Sequence, residues 1–89
     1  MSQMYGMIIS EVQNLASQLD QKAGEIETII TTITSTLGST QWVGPDATAF
    51  RSEWEGTHTA QLRNVVTALR DTATVARKNA QMQQETSAS

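Results

Sequence analysis

The side chains able to act as acids, bases or ligands are few and poorly grouped. Glu53 and Glu55 come closest to a carboxylate pair. Two residues apart on a helix, they point to different faces and make a poor acid–base couple. His58 is the only histidine, and there is no cysteine. One imidazole makes a conventional zinc site implausible, and without a suitably spaced Ser and Asp it forms no triad. His58 could titrate near neutrality as a pH sensor, but a lone histidine on an apolar stripe reads first as a half-buried packing residue. Arg63, Arg70 and Arg77 recur every seven residues and form one basic row. That row is either a site for an acidic partner or a solvated flank facing acids of the first half, such as Asp20 and Glu11. The second reading is preferred, with each pair contributing less than about 1 kcal/mol. Gly38 to Gly44 lacks the Gly-Lys-Ser/Thr ending of a phosphate loop. No catalytic residue, metal ligand or cofactor is therefore expected, and an enzyme is not expected.

Composition narrows the remaining classes. The chain has 89 residues, which allows a single domain spanning 1–89. Without cysteine, no disulfide or thiolate cluster can staple it. A net charge of −3 and a pI near 4.9 argue against nucleic acid, whose recognition relies on clustered Lys and Arg. The charge is uneven. Residues 1–41 carry Glu11, Asp20, Glu25 and Glu27 against Lys22, whereas residues 42–89 hold equal numbers of acids and bases. No stretch is apolar enough to span a bilayer, and the first residues lack the basic and apolar regions of a cleaved signal peptide. Membrane contact is not expected.

What positions the few distinctive residues is a break near the middle, Gln41-Trp42-Val43-Gly44-Pro45-Asp46. Pro45 suits the first position of a helix, Gly44 can take a cap conformation denied to most residues, and Asp46 complements the helix dipole. Gly38-Ser39-Thr40 upstream reads as a helix stop. The expectation is a helical hairpin: helix one over about 4–38, a bend at 39–44, and helix two over about 45–82. A small, polar tail from 83 to 89 is expected to be disordered. Trp42 at a bend must either cover the hairpin end or wait for a partner.

Both arms carry wide apolar stripes. In the first, Ile8, Val12, Leu15, Leu19, Ile26, Ile29 and Ile33 recur by threes and fours, with one slot missed at Lys22. A second row, Ile9, Ala16, Ala23, Ile30 and Leu37, lies beside it. Lys22 is read as a stem lying on apolar surface, with its ammonium reaching out beside Asp20 and Glu25. Thr28 to Thr34 is rich in β-branched residues, yet the helical phase runs through it, so it is read as helix. In the second arm Ala47, Phe50, Trp54, His58, Leu62, Val65, Leu69, Ala73, Ala76 and Ala80 form the stripe. The run of fours from Trp54 to Leu62 shifts it as a stutter does. Met4, Met7 and Met82 fall at the open end, where thioethers can plug an irregular gap.

Two helices each hide only part of so wide a stripe, and a chain this short needs another way to complete its core. A second hairpin would give an all-α, antiparallel four-helix bundle. Its core is expected to draw on Val12, Leu15, Leu19, Ile26, Ile29, Ile33, Phe50, Trp54, Leu62, Val65 and Leu69.

The pattern Trp42-x-Gly44-x-x-Ala47-x-x-Phe50-x-x-x-Trp54, followed by Leu62 and Leu69 between two long helices, resembles the small Trp-x-Gly (WXG) family of ESAT-like proteins, in its actinobacterial form. The resemblance covers nearly the whole chain. It implies a coiled-coil-like hairpin that dimerises, as a homodimer or with a paralogous WXG protein. It also implies export, without a cleaved signal peptide, by a type VII secretion system and its membrane ATPase. Trp42 and Gly44 would form the recognition motif. The family's tail motif, Tyr-x-x-x-Asp/Glu, is missing, since the only tyrosine is Tyr5. Either a partner supplies it, or a homodimer is exported through another tail feature. The alternative function is an intracellular adaptor or chaperone for the helical domain of a larger effector.

Overall fold

The structure, a computed structural model, describes residues 7–88. Met4, Tyr5 and the expected start of helix one near residue 4 lie outside these residues, but Met7 and Ile8, expected within that helix, are not helical. Ile8 is extended at φ −100° and ψ 111°, and the helix begins at Ile9. The chain forms two antiparallel helical arms in a rod of 65 × 17 × 14 Å. Helix α1 spans Ile9–Ser39, α2 spans Pro45–Glu53, a π-helical turn covers Trp54–His58, and α3 spans Thr59–Ala88. Among the described residues there is no strand, and no helix is long and apolar enough to cross a membrane.

The β-branched segment of α1 is helical. Two of its threonines turn their hydroxyls back on the helix, Thr28 donating to Gly24 O and Thr31 to Glu27 O, both at 3.1 Å. That satisfies the hydroxyls locally and leaves Ile30 to the packing face. Helix α1 ends at Ser39, and Gly38 lies inside it rather than stopping it. The chain leaves through Thr40 in extended conformation, at φ −90° and ψ 129°. Helix α2 starts on Gly44, whose φ of 129° is the only positive φ among the described residues. A Cβ there would meet nothing within 4 Å, so it is backbone conformation, not space, that selects glycine. Pro45 follows at the first helical position, and Thr48 N–H closes the first turn on Gly44 O at 3.0 Å.

The seam between the arms is narrow and made mostly of small residues. Ala16, Ala23, Ala73 and Ala80 are fully buried, with Ile30, Ala47, Trp54 and Val66 nearly so. The second, alanine-bearing row of α1 is thus the one that meets α3. Ion pairs Asp20–Arg77 and Glu27–Arg70 fit one antiparallel register, which sets Ala16 level with Ala80, Ala23 with Ala73 and Ile30 with Val66. Among the described residues no large side chain is fully buried. The hairpin therefore gains little apolar burial for a chain of its length.

The stutter is absorbed by the π-helical turn. A four-residue step from Trp54 would put His58 on the seam. The π turn adds one residue, so Thr59 sits there instead, 5% exposed, its hydroxyl donating to Glu55 O at 3.1 Å. His58 is pushed to the edge, its side chain 43% exposed and its Nε2 3.8 Å from Glu53. The seam then continues through Leu62, Val66, Leu69 and Ala73. The tail expected from residue 83 is instead helical through Ala88. Gln83 falls on the seam and is buried, its Nε2 without a hydrogen-bond partner. Met, Gln, Glu and Ala are all good helix formers, so the polar composition there ends the stripe without ending the helix.

Candidate interaction site at the bend and along one flank

The bend is tied down from the far side by one residue. The Arg51 guanidinium donates to Trp42 O at 2.7 Å, to Thr40 O at 3.0 Å and to Leu37 O at 3.1 Å. Helix α1 has no basic residue in its last turn, so Arg51, reaching across from α2, supplies donors and positive charge to its exposed carbonyls. Trp42 N–H closes a tight turn on Thr40 O at 3.1 Å. The Trp42 ring rests against Phe50, with centroids 6.2 Å apart, and lies 6.0 Å from the Arg51 guanidinium carbon. It remains 42% exposed, and Val43 beside it is 93% exposed. Part of the Trp42 ring therefore packs on Phe50 and part faces solvent.

Below the bend the ring contacts continue. Phe50 lies 6.2 Å from Trp54 and 6.4 Å from His58, and Trp54 lies 6.5 Å from His58. Trp54 is the anchor of this cluster: it is buried, and its indole N–H donates to Thr34 Oγ1 at 3.0 Å. Burial of a tryptophan with its one donor satisfied is the favourable case for so large a side chain.

Along the rod the two flanks differ in kind. One residue before the seam positions of α1 lie Leu15, Lys22 and Ile29, with Ile8 just ahead of the helix. The matching positions on the second arm hold His58, Val65, Thr72 and Asn79; Phe50 lies on the same side between Ala47 and Trp54, and Val75 and Met82 lie farther round the helix. Among the described residues, the large apolar side chains exposed outside the bend are Ile8, Leu15, Ile29, Phe50, Val65, Val75 and Met82. Lys22 interrupts the row and pairs with Glu25 at 3.3 Å. The opposite flank carries Asp20–Arg77, Glu27–Arg70 and Arg63. The arginine row is thus, for Arg70 and Arg77, a flank facing acids of α1, with Glu27 rather than Glu11 beside Asp20.

Of the residues expected to line a bundle core, only Trp54 is buried within one hairpin. Val12, Leu19, Ile26, Ile33, Leu62 and Leu69 are half-buried at the seam edge, and Leu15, Ile29, Phe50 and Val65 are exposed. Arg51, Thr34, Thr59 and Val66 were not singled out from sequence. A signal for Arg51 existed in hindsight: a cation two turns after a helix start can reach back to the preceding carbonyls. Among the described residues, no group of three or more His, Asp or Glu could hold a metal ion. Compared with models of known families, with curated proteins and with solved structures, the chain matches none.

Proposed function

We propose that this chain is a small non-catalytic protein that works as a pair of hairpins closed into an antiparallel four-helix bundle. The pair is exported through a type VII secretion system as a folded substrate, and as a co-export partner where the second hairpin is a paralogue. The observation that carries the pairing is the exposed apolar flank from Ile8, Leu15 and Ile29 to Phe50, Val65, Val75 and Met82. The hairpin's own seam is thin, and the flank runs along much of the rod. Burying it against a matching flank satisfies the apolar surface that one hairpin leaves wet, at about 25 cal/mol per Å². The ion-paired opposite flank stays in solvent.

The secretion assignment rests on the resemblance and on where the Trp42-x-Gly44 motif falls. It sits at the tip of a helical hairpin, with Trp42 and Val43 open to a partner. Two measurements test the proposal. Light scattering of the purified chain, alone and with its genomic neighbour, should give the mass of two hairpins. Deleting the secretion ATPase in the native host should empty the culture filtrate of the protein. Unchanged extracellular levels would reject export, and a stoichiometric cytosolic complex with a large effector would favour the adaptor instead.

A further inference from the structure

We propose that Arg51 is the positioning residue of the bend: its guanidinium sets the attitude in which Trp42 and Val43 are presented to a partner. This rests on the reading of the bend as a recognition element and adds to it the group that shapes that element.

The choice of acceptors separates this role from simple capping of α1. An arginine that merely capped α1 would bond to carbonyls of the last helical turn. Arg51 takes one such carbonyl, Leu37 O, but its other two bonds go to Thr40 O and Trp42 O, beyond the helix end at Ser39. Those two acceptors belong to backbone that no regular hydrogen-bond ladder holds. The three acceptors are reached from two separate nitrogens, Nη1 to Trp42 O and Nη2 to Leu37 O and Thr40 O, a rigid fork that the single nitrogen of an ammonium does not provide. The same group lies 6.0 Å from the Trp42 ring centroid, so backbone and ring are oriented together. The bend is thereby ordered before any partner arrives. Such pre-organisation strengthens binding by removing the ordering cost that a floppy loop would carry. The half-buried Arg51 stem leaves Val43 and the outer part of Trp42 free to be read.

The chain has two tryptophans, so two indole N–H resonances report separately on the bend and on the seam. Arg51→Gln and Arg51→Lys are compared with the native chain by side-chain 15N relaxation of these resonances, with helicity followed by circular dichroism. The expected result is that Trp42 becomes mobile in both variants while Trp54, bonded to Thr34, stays rigid and helicity holds. Export is then expected to fall by about fivefold or more in both variants. An ordered Trp42 in Arg51→Gln would overturn the proposal. So would an ordered Trp42 in Arg51→Lys, since charge alone would then suffice. Loosening of Trp54 together with Trp42 in both variants would mean that Arg51 holds the whole hairpin, and would overturn a local role. A mobile Trp42 with undiminished export would refute its part in recognition. If the native chain is not exported at all, the secretion reading fails, while the relaxation comparison still decides whether Arg51 positions the bend.

Discussion

The two flanks of the hairpin follow the same heptad arithmetic and reach opposite solutions. On one, Asp20 and Glu27 of α1 meet Arg77 and Arg70 of α3, so the flank is completed inside a single chain. On the other, Ile8, Leu15, Ile29, Phe50, Val65, Val75 and Met82 remain exposed. Solvated ion pairs add little stability but do fix which residue lies level with which. Exposed apolar rows make no such contact inside the hairpin, and a patch of this kind commonly marks an interaction surface. One flank thus aligns the arms inside the chain, and the other is the surface that the proposed pairing would cover.

Substituting Ile29→Asp or Val65→Asp should break this division most severely. A carboxylate placed within an apolar contact loses its hydration without gaining a partner, so association should weaken by about 3 kcal/mol or more. Sedimentation equilibrium would show monomers, and helicity at the same concentration should fall with the loss of pairing, because one hairpin buries little apolar surface by itself. Retention of a pair of hairpins by either variant would sink the assignment of this flank.

Lys22→Leu sharpens the same comparison in the opposite direction. It removes the one charge in the row and its contact with Glu25, so association should tighten by about 1–2 kcal/mol. A single polar residue in an apolar seam commonly fixes alignment at the expense of affinity. The tighter complex should therefore accept a mismatched hairpin more readily, as read by mixed-mass species in native mass spectrometry.

Between the flanks, Gln83→Leu addresses the seam itself. The buried, unpartnered Nε2 carries a desolvation cost that an apolar side chain of similar volume does not. Stability should rise by about 1 kcal/mol, seen as a higher melting midpoint. A lower midpoint would show that the amide has a partner in solution.

Arg70→Ala and Arg77→Ala should have the smallest effect. Both ion pairs are well exposed, so each loss should stay below about 1 kcal/mol and shrink further in high salt. A melt that falls steeply with either substitution would make the aligned flank a stabilising one and erase the contrast drawn above.

Much of this architecture was legible in the chain. Gly44-Pro45 marked the start of the second arm, because φ freedom and a missing N–H suit few other places. The helical phase through Thr28 to Thr34 was readable because periodicity over a long window outweighs weak local propensity. The stutter near His58 was visible as a run of fours, but not how it would be taken up. One inserted residue moved His58 off the seam and put Thr59 on it; spacing alone does not say whether a stutter is spread along the helix or taken up in one π turn.

The chain alone determined that there are two long helices, where they reverse, and that each carries a wide apolar face. These follow from local sterics and from spacing along one helix. Only the folded structure decided which slice of that face becomes the seam. The larger row of Leu15 and Ile29 was left outside, and the alanine row at 16 and 23 was buried against 73 and 80. Spacing identifies a face but not its centre. The centre depends on how closely two backbones can approach, and small residues allow the closest contact. The reach of Arg51 across the bend belongs to the same category, since it depends on a distance between arms that neither arm encodes by itself.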